Sequence, residues 1–126
     1  MKETRKPRLS TFEPKFDFER LEVYQLIRRH LMMVVETGAK LPKASSKTQD
    51  HLDRSTDSIQ FNTAEGSGKP RRSKDRRKYF DIALSSAKEA AAAWDNLYLR
   101  GYVSLEASDE ARSMLVRIVQ MLIKLE

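Results

Sequence analysis

Four stretches of this 126-residue chain repeat apolar residues every three or four positions, and none alternates them every second position for long. The first spacing belongs to helices that bury one face; the second would mark half-buried strands, so the chain reads as all-α. Asp17 is placed to cap a first helix in which Phe18, Leu21, Tyr24, Ile27 or Arg28, Leu31, Val34 and Val35 recur, and Gly38 closes it. A second helix is predicted over about 47–64, with a thin inward line of Leu52, Ser55 or Thr56, Ile59 and Asn62 or Thr63, broken by Gly66, Gly68 and Pro70. The third is the longest, from a cap at Ser73 to Arg100, with Gly101 as the residue beyond its end. Its stripe runs from Tyr79 and Phe80 through Ala90 and Ala93 to Trp94, Leu97 and Tyr98. The fourth starts at Ser104 or Ser108, and Ala111, Leu115, Ile118, Leu122 and Leu125 form its seam.

Short polar connectors between helices of ~20 residues imply an antiparallel up-down-up-down four-helix bundle over residues 16–126. Residues 1–15 carry Pro7 and Pro14 and no periodicity, and read as a flexible, disordered basic arm. The length suits one domain. Without cysteine there is no disulfide framework and no thiolate metal site. No apolar run approaches ~18 residues and the N-terminus lacks an apolar signal core, so a soluble cytoplasmic protein without a membrane partner is expected.

The charge is concentrated. Residues 69–78 hold Lys69, Arg71, Arg72, Lys74, Arg76, Arg77 and Lys78 against Asp75 alone, so this stretch carries the chain's whole net charge of +6. A run of cations is often only a solvated turn. Here, however, it sits at a helix start, where the helix dipole favours anions. A phosphate backbone would offset the mutual repulsion.

Enzyme signatures are missing. Gly66-Ser67-Gly68-Lys69 resembles a phosphate loop, but Thr63 stands where its first glycine belongs and Pro70 where Ser or Thr belongs, and no strand precedes it. His30 and His51 are isolated, with Ile27 and Thr48 where a di-iron bundle needs glutamates; His30 reads as a helix-surface residue. One polar constellation falls on facing positions: Asn62 and Glu65 on the second helix, Ser86 and Glu89 on the third. It could be a carboxylate pair for acid–base or metal chemistry, or an inter-helix hydrogen-bond network. The absence of an accompanying nucleophile or histidine favours the network, because polar groups on core-facing positions need partners. No catalytic residue, metal, cofactor or small-molecule substrate is expected.

At the same residues the chain resembles the 23S rRNA intervening-sequence proteins, four-helix bundles of which some are encoded in insertions within bacterial 23S rRNA genes. The likeness covers about residues 16–125. It opens at Phe18-Glu19-Arg20-Leu21-Glu22-Val23-Tyr24-Gln25 and continues through Leu52-Asp53-Arg54 and Ser58-Ile59. It is most specific in Asn62-Thr63-Ala64-Glu65-Gly66 and in the Ser86-x-x-Glu89 element, and it closes at Arg100-Gly101-Tyr102. Thr56, Asp57, Ser67, Lys69 and Ser85 depart from the family's usual residues. The resemblance implies an antiparallel four-helix bundle, a homopentamer, no catalytic activity and a role in binding RNA.

Two functions follow. The first is a non-enzymatic oligomer that binds RNA or other nucleic acid through residues 69–78. The alternative is a scaffold homo-oligomer that binds a protein partner and no nucleic acid. Both need a subunit interface, and Val116, Val119 and Ile123 lie outside the fourth helix's seam as surplus apolar surface for one.

Overall fold

The structure, a computed structural model, describes residues 9–126. Four helices dominate: α1 Glu22–Gly38, α2 Ser46–Ser67, α3 Lys74–Leu99 and α4 Leu105–Leu125, and the described residues contain no strand. The all-α reading therefore holds. Three short 3-10 turns accompany the helices, at Leu9–Thr11, Asp17–Arg20 and Lys43–Ser45.

Residues 1–8 of the expected arm lie outside the described residues. Its second half differs from a featureless segment. Beyond the turn at Leu9–Thr11, the Phe12 ring lies 3.5 Å beneath the guanidinium of Arg28 on α1. A cation over an aromatic face contributes about 0.5–1 kcal/mol where it is exposed.

The first helix begins later than the Asp17 cap predicts. Residues 17–20 form a 3-10 turn and Leu21 is extended before α1 starts at Glu22. The Glu19 side chain is responsible. Its carboxylate accepts the amides of Phe16 at 2.6 Å and Lys15 at 2.8 Å, closing the turn on itself. Those two amides, Phe16 first, hold the Glu19 carboxyl below its usual pKa.

The other helix ends follow their cap chemistry. Ser73 accepts the Arg76 amide at 3.1 Å, and Ser104, not Ser108, caps α4 by accepting the Ala107 amide at 3.1 Å. At the end of α3, Gly101 takes φ +81° while the amide of Tyr102 reaches the Leu97 carbonyl and that of Gly101 reaches Tyr98, a Schellman ending. Gly66 does not break α2 as the sequence suggests. It lies inside the helix, where a Cβ would come within 2.6 Å of Phe80 Cδ1. Its hydrogens are what let α2 and α3 close together.

The core is one cluster in which Val23, Ile27, Ile59, Phe80, Trp94, Leu97, Leu115, Ile118 and Leu122 are fully buried. Many buried residues of α2 and α3 are small, among them Ser55, Thr56 and Gly66 on α2 and Ala83, Ala87 and Ala90 on α3. Cross-helix pairs fix the register. Thr48 bonds Asn96 (2.9 Å), Ser86 bonds Ser58 (2.7 Å) and Gly66 meets Phe80. Gln60 on α2 bonds the Tyr24 hydroxyl on α1 (3.0 Å), and Arg117 on α4 lies 3.8 Å from Glu22 on α1. The α2–α3 turn lies beside the end of α4, where the Arg76 guanidinium meets the Leu125 carbonyl.

Candidate nucleic-acid interface

The basic segment occupies this turn and the first turn of α3. After α2 ends, the amides of Gly68 and Lys69 bond back to the carbonyls of Glu65 and Gly66. The Ser73 amide then bonds the Pro70 carbonyl. Between them Arg72 takes φ +63°, a left-handed conformation uncommon for a residue with a β-carbon, and its amide bonds the Glu126 carbonyl oxygen at 3.0 Å. The turn is thus anchored to the end of α4, and the Arg72 side chain is exposed.

Seven cations were expected to bind nucleic acid together; the structure separates one from the rest. Arg76 is buried, with 6 % of its surface exposed. Its Nε donates to the Leu125 carbonyl at 2.7 Å, and one terminal nitrogen donates to the carbonyls of Lys69 (3.1 Å) and Ser67 (3.3 Å). The guanidinium also lies 5.0 Å from the centre of the Phe80 ring. Burial first, and Arg71 second, hold it below the ordinary guanidinium pKa. Arg76 is therefore a clamp inside the turn and not a group free to meet phosphate. The signal was in the sequence: 76, 80, 83 and 87 share one helical stripe, so a cation at 76 points inward with Phe80.

The other six remain available. Arg71, Arg72, Lys74, Arg77 and Lys78 are exposed and Lys69 is half-buried. Tyr79 gathers two of them, with Lys69 Nζ at 5.7 Å and Lys78 Nζ at 5.5 Å from its ring centre. Lys69 also lies 3.6 Å from the Glu65 carboxylate.

The polar constellation divides. Asn62 donates to the Ser58 carbonyl (2.9 Å) and hydroxyl (3.1 Å), and Ser86 donates to that same hydroxyl (2.7 Å), so these residues do link α2 to α3. Glu65 stands outside the link, whereas Glu89 joins α2 only at the surface, through His51. Glu65 is exposed and paired with Lys69, while Glu89 is exposed and 3.4 Å from His51 Nδ1. Both glutamates are exposed to solvent. Ser58 was the missing member; its spacing of four from Asn62 marks it in the sequence. The two carboxylates are not brought together, and among the described residues no cluster of three or more His, Asp or Glu could hold a metal ion.

His30, expected on the surface, is buried with 1 % exposure and accepts a hydrogen bond from Trp94 Nε1 at 3.0 Å. Val116 and Ile123 are exposed by 55 % and 57 %, and Val119 is half-buried. Beside them an apolar groove of about 470 Å³ runs along the α3–α4 seam, lined by Ala87, Ala91, Leu115, Val116 and Val119 with Arg112 at its edge. A second hollow, about 520 Å³, lies between α1 and α4 among Arg29, Met33, Glu36, Tyr102 and Met114. No helix among the described residues is long and apolar enough to cross a membrane.

These features define a small helical protein with a clamped basic turn at one end. The chain belongs to the 23S rRNA-intervening sequence protein family, whose sequence profile matches residues 19–124. Among solved structures it is similar to a protein of unknown function from the S23 ribosomal protein family of Bacteroides thetaiotaomicron. The two share 21 % identity over 82 % of this chain and 96 % of that one, with a TM-score of 0.64, which shows a common fold. No curated protein matches the chain significantly.

Proposed function

We propose that this protein is a non-catalytic, cytoplasmic RNA-binding oligomer whose α2–α3 turn holds the phosphate backbone. The observation that carries the reading is the geometry of the basic segment. Arg76 and the Arg72 amide tie the turn rigidly to α4, and six cations are left at its surface. A rigid turn presenting like charges has spent its ordering entropy before binding, which favours a polyanion. Family membership supports RNA as that polyanion. The cross-helix pairings support an antiparallel up-down-up-down bundle: partners fall in number along α3 as they rise along α2. The groove with Val116, Val119 and Ile123 supports a cyclic assembly, a homopentamer on the family resemblance, that would repeat the turn around a ring.

The test is a salt titration of binding to labelled RNA. If about five phosphates are neutralised, log K should fall against log salt with a slope of about −3.5 for a single strand and about −4.5 for a duplex. The duplex slope corresponds to roughly 500-fold between 50 and 200 mM salt. Replacing Arg71, Arg72, Lys74 and Arg77 together with alanine should remove most of the affinity at unchanged helicity. Weak binding that ignores both salt and the quadruple change would instead leave the scaffold function.

A further inference from the structure

Phe61 faces outward on α2 with 64 % of its surface exposed. One exposed apolar side chain is ordinary; its surroundings are not. Phe61 lines a shallow hollow of about 430 Å³ with Ala64, Glu65, Gly68 and Lys69, so the hollow runs from a bare aromatic ring to the first cation of the basic turn. Gly68 contributes no side chain to it. Lys69 is held there by Glu65 on one side and the Tyr79 ring on the other.

We propose that this hollow receives one unstacked base of a single-stranded nucleic acid, with the Phe61 ring as its stacking face and Lys69 on the adjoining phosphate. The proposal rests on the nucleic-acid reading above and specifies the substrate class. The exposed cations beyond Lys69 supply charge complementary to a strand leaving the hollow. An aromatic ring stacks any base, whereas a duplex keeps its base faces covered. The Glu65 carboxylate, half-exposed beside the hollow, accepts hydrogen bonds and so suits the amino edge of a base over a second phosphate.

The experiment compares wild type, Phe61→Ala, Phe61→Trp and the quadruple basic variant, using a single-stranded RNA oligonucleotide with one 2-aminopurine and a duplex of equal length. Phe61→Ala should weaken single-strand binding on the order of tenfold, leave duplex binding unchanged and abolish the 2-aminopurine fluorescence change. Phe61→Trp should retain both. The salt slope should be the same in Phe61→Ala as in wild type, because stacking releases no counterions. If Phe61→Ala binds single strands as well as wild type while the quadruple variant does not, the stacking site is rejected and the basic turn stands. If no protein shows salt-dependent binding, the nucleic-acid reading itself fails. A change in sedimentation caused by Phe61→Ala would overturn the proposal in favour of contact between copies of the chain.

Discussion

Trp94 on α3 donates its indole N–H to Nε2 of His30 on α1 at 3.0 Å, with the two rings meeting edge to face in the core. Indole nitrogen only donates, so His30 Nε2 carries no proton and the imidazole is neutral. Burial holds its pKa at about 4. In the unfolded chain the value returns to about 6.5. Above pH ~6.5 neither state is protonated and His30 adds no pH dependence. Between ~6.5 and ~4 the unfolded chain takes up a proton that the folded one refuses, so stability falls as pH falls. The loss from this group should reach roughly 3 kcal/mol near pH 4. Urea unfolding at pH 7, 5.5 and 4 checks it against His30→Gln, which can accept from Trp94 and does not titrate. The stability advantage of wild type should shrink by about that amount towards pH 4, and a constant difference would contradict the argument.

Arg76 and Arg77 are neighbours in sequence with opposite roles. Arg76→Ala removes a charged donor from three backbone carbonyls and should cost about 2–3 kcal/mol. Arg77→Ala alters an exposed side chain and should change stability by no more than about 0.5 kcal/mol. Thermal melts followed by circular dichroism should therefore show a drop of roughly 10 °C for the first and almost none for the second. RNA affinity should reverse the contrast in one respect: Arg77→Ala lowers the salt slope by about 0.7 for a single strand, whereas Arg76→Lys leaves it unchanged.

Gly66 and Gly68 offer a matched pair in the same turn of chain. A Cβ at 66 would lie 2.6 Å from Phe80 Cδ1 and 3.0 Å from Tyr79 Cβ, whereas one at 68 meets nothing closer than 3.5 Å. Alanine usually stabilises a helix over glycine by up to ~1 kcal/mol. Forcing a methyl against the Phe80 ring costs about 1–3 kcal/mol, so the clash prevails and Gly66→Ala should be destabilising. Gly68→Ala should be neutral or slightly stabilising. Urea midpoints of the two variants decide the matter, and equal midpoints would mean that α2 and α3 can separate without penalty.

What the sequence made legible was mostly what a single helix decides for itself. The spacing of Phe80, Ala83, Ala87 and Ala90 and the caps at Ser73, Ser104 and Gly101 are local, and their elements appear where they were expected. The start of α1 was misplaced because Glu19 folds back onto amides that precede it, a tertiary-like contact within six residues. Facing positions were harder. A helical wheel gives the angle of Glu89 about its own axis but not how near the neighbouring helix comes. Ser86 therefore meets Ser58 while Glu89, three residues on, reaches water and His51. Arg76 shows the same gap in reverse. Its stripe was visible, yet Arg76 was grouped with the phosphate-binding cations because the three carbonyls that satisfy it come from α2, the turn and α4. His30 was read as surface for want of its partner, which is 64 positions away.

Assembly is the remaining expectation, and its residues are well placed for a test that spares the fold. Val116 and Ile123 lie one heptad apart on α4, each more than half exposed, and Val116 lines the groove in which Ala87 and Ala91 present little side chain. A ring is built from one surface meeting a different one on the next subunit, so this groove needs to be only one half of the interface. A stable contact buries about 800 Å² per partner, which two exposed valine and isoleucine side chains begin but do not complete. Charge at the centre of such a patch is strongly disfavoured, since a buried carboxylate without a partner loses its hydration. Val116→Asp and Ile123→Asp together should therefore convert the protein to a monomer while the helical spectrum is preserved. Ile118→Asp, at a fully buried position on the same helix, should unfold the chain instead. Sedimentation equilibrium should give wild type five times the chain mass at micromolar concentration and the double variant a single chain mass. A wild-type monomer would remove the groove's proposed role, and an unchanged oligomer in the double variant would move the interface to another face.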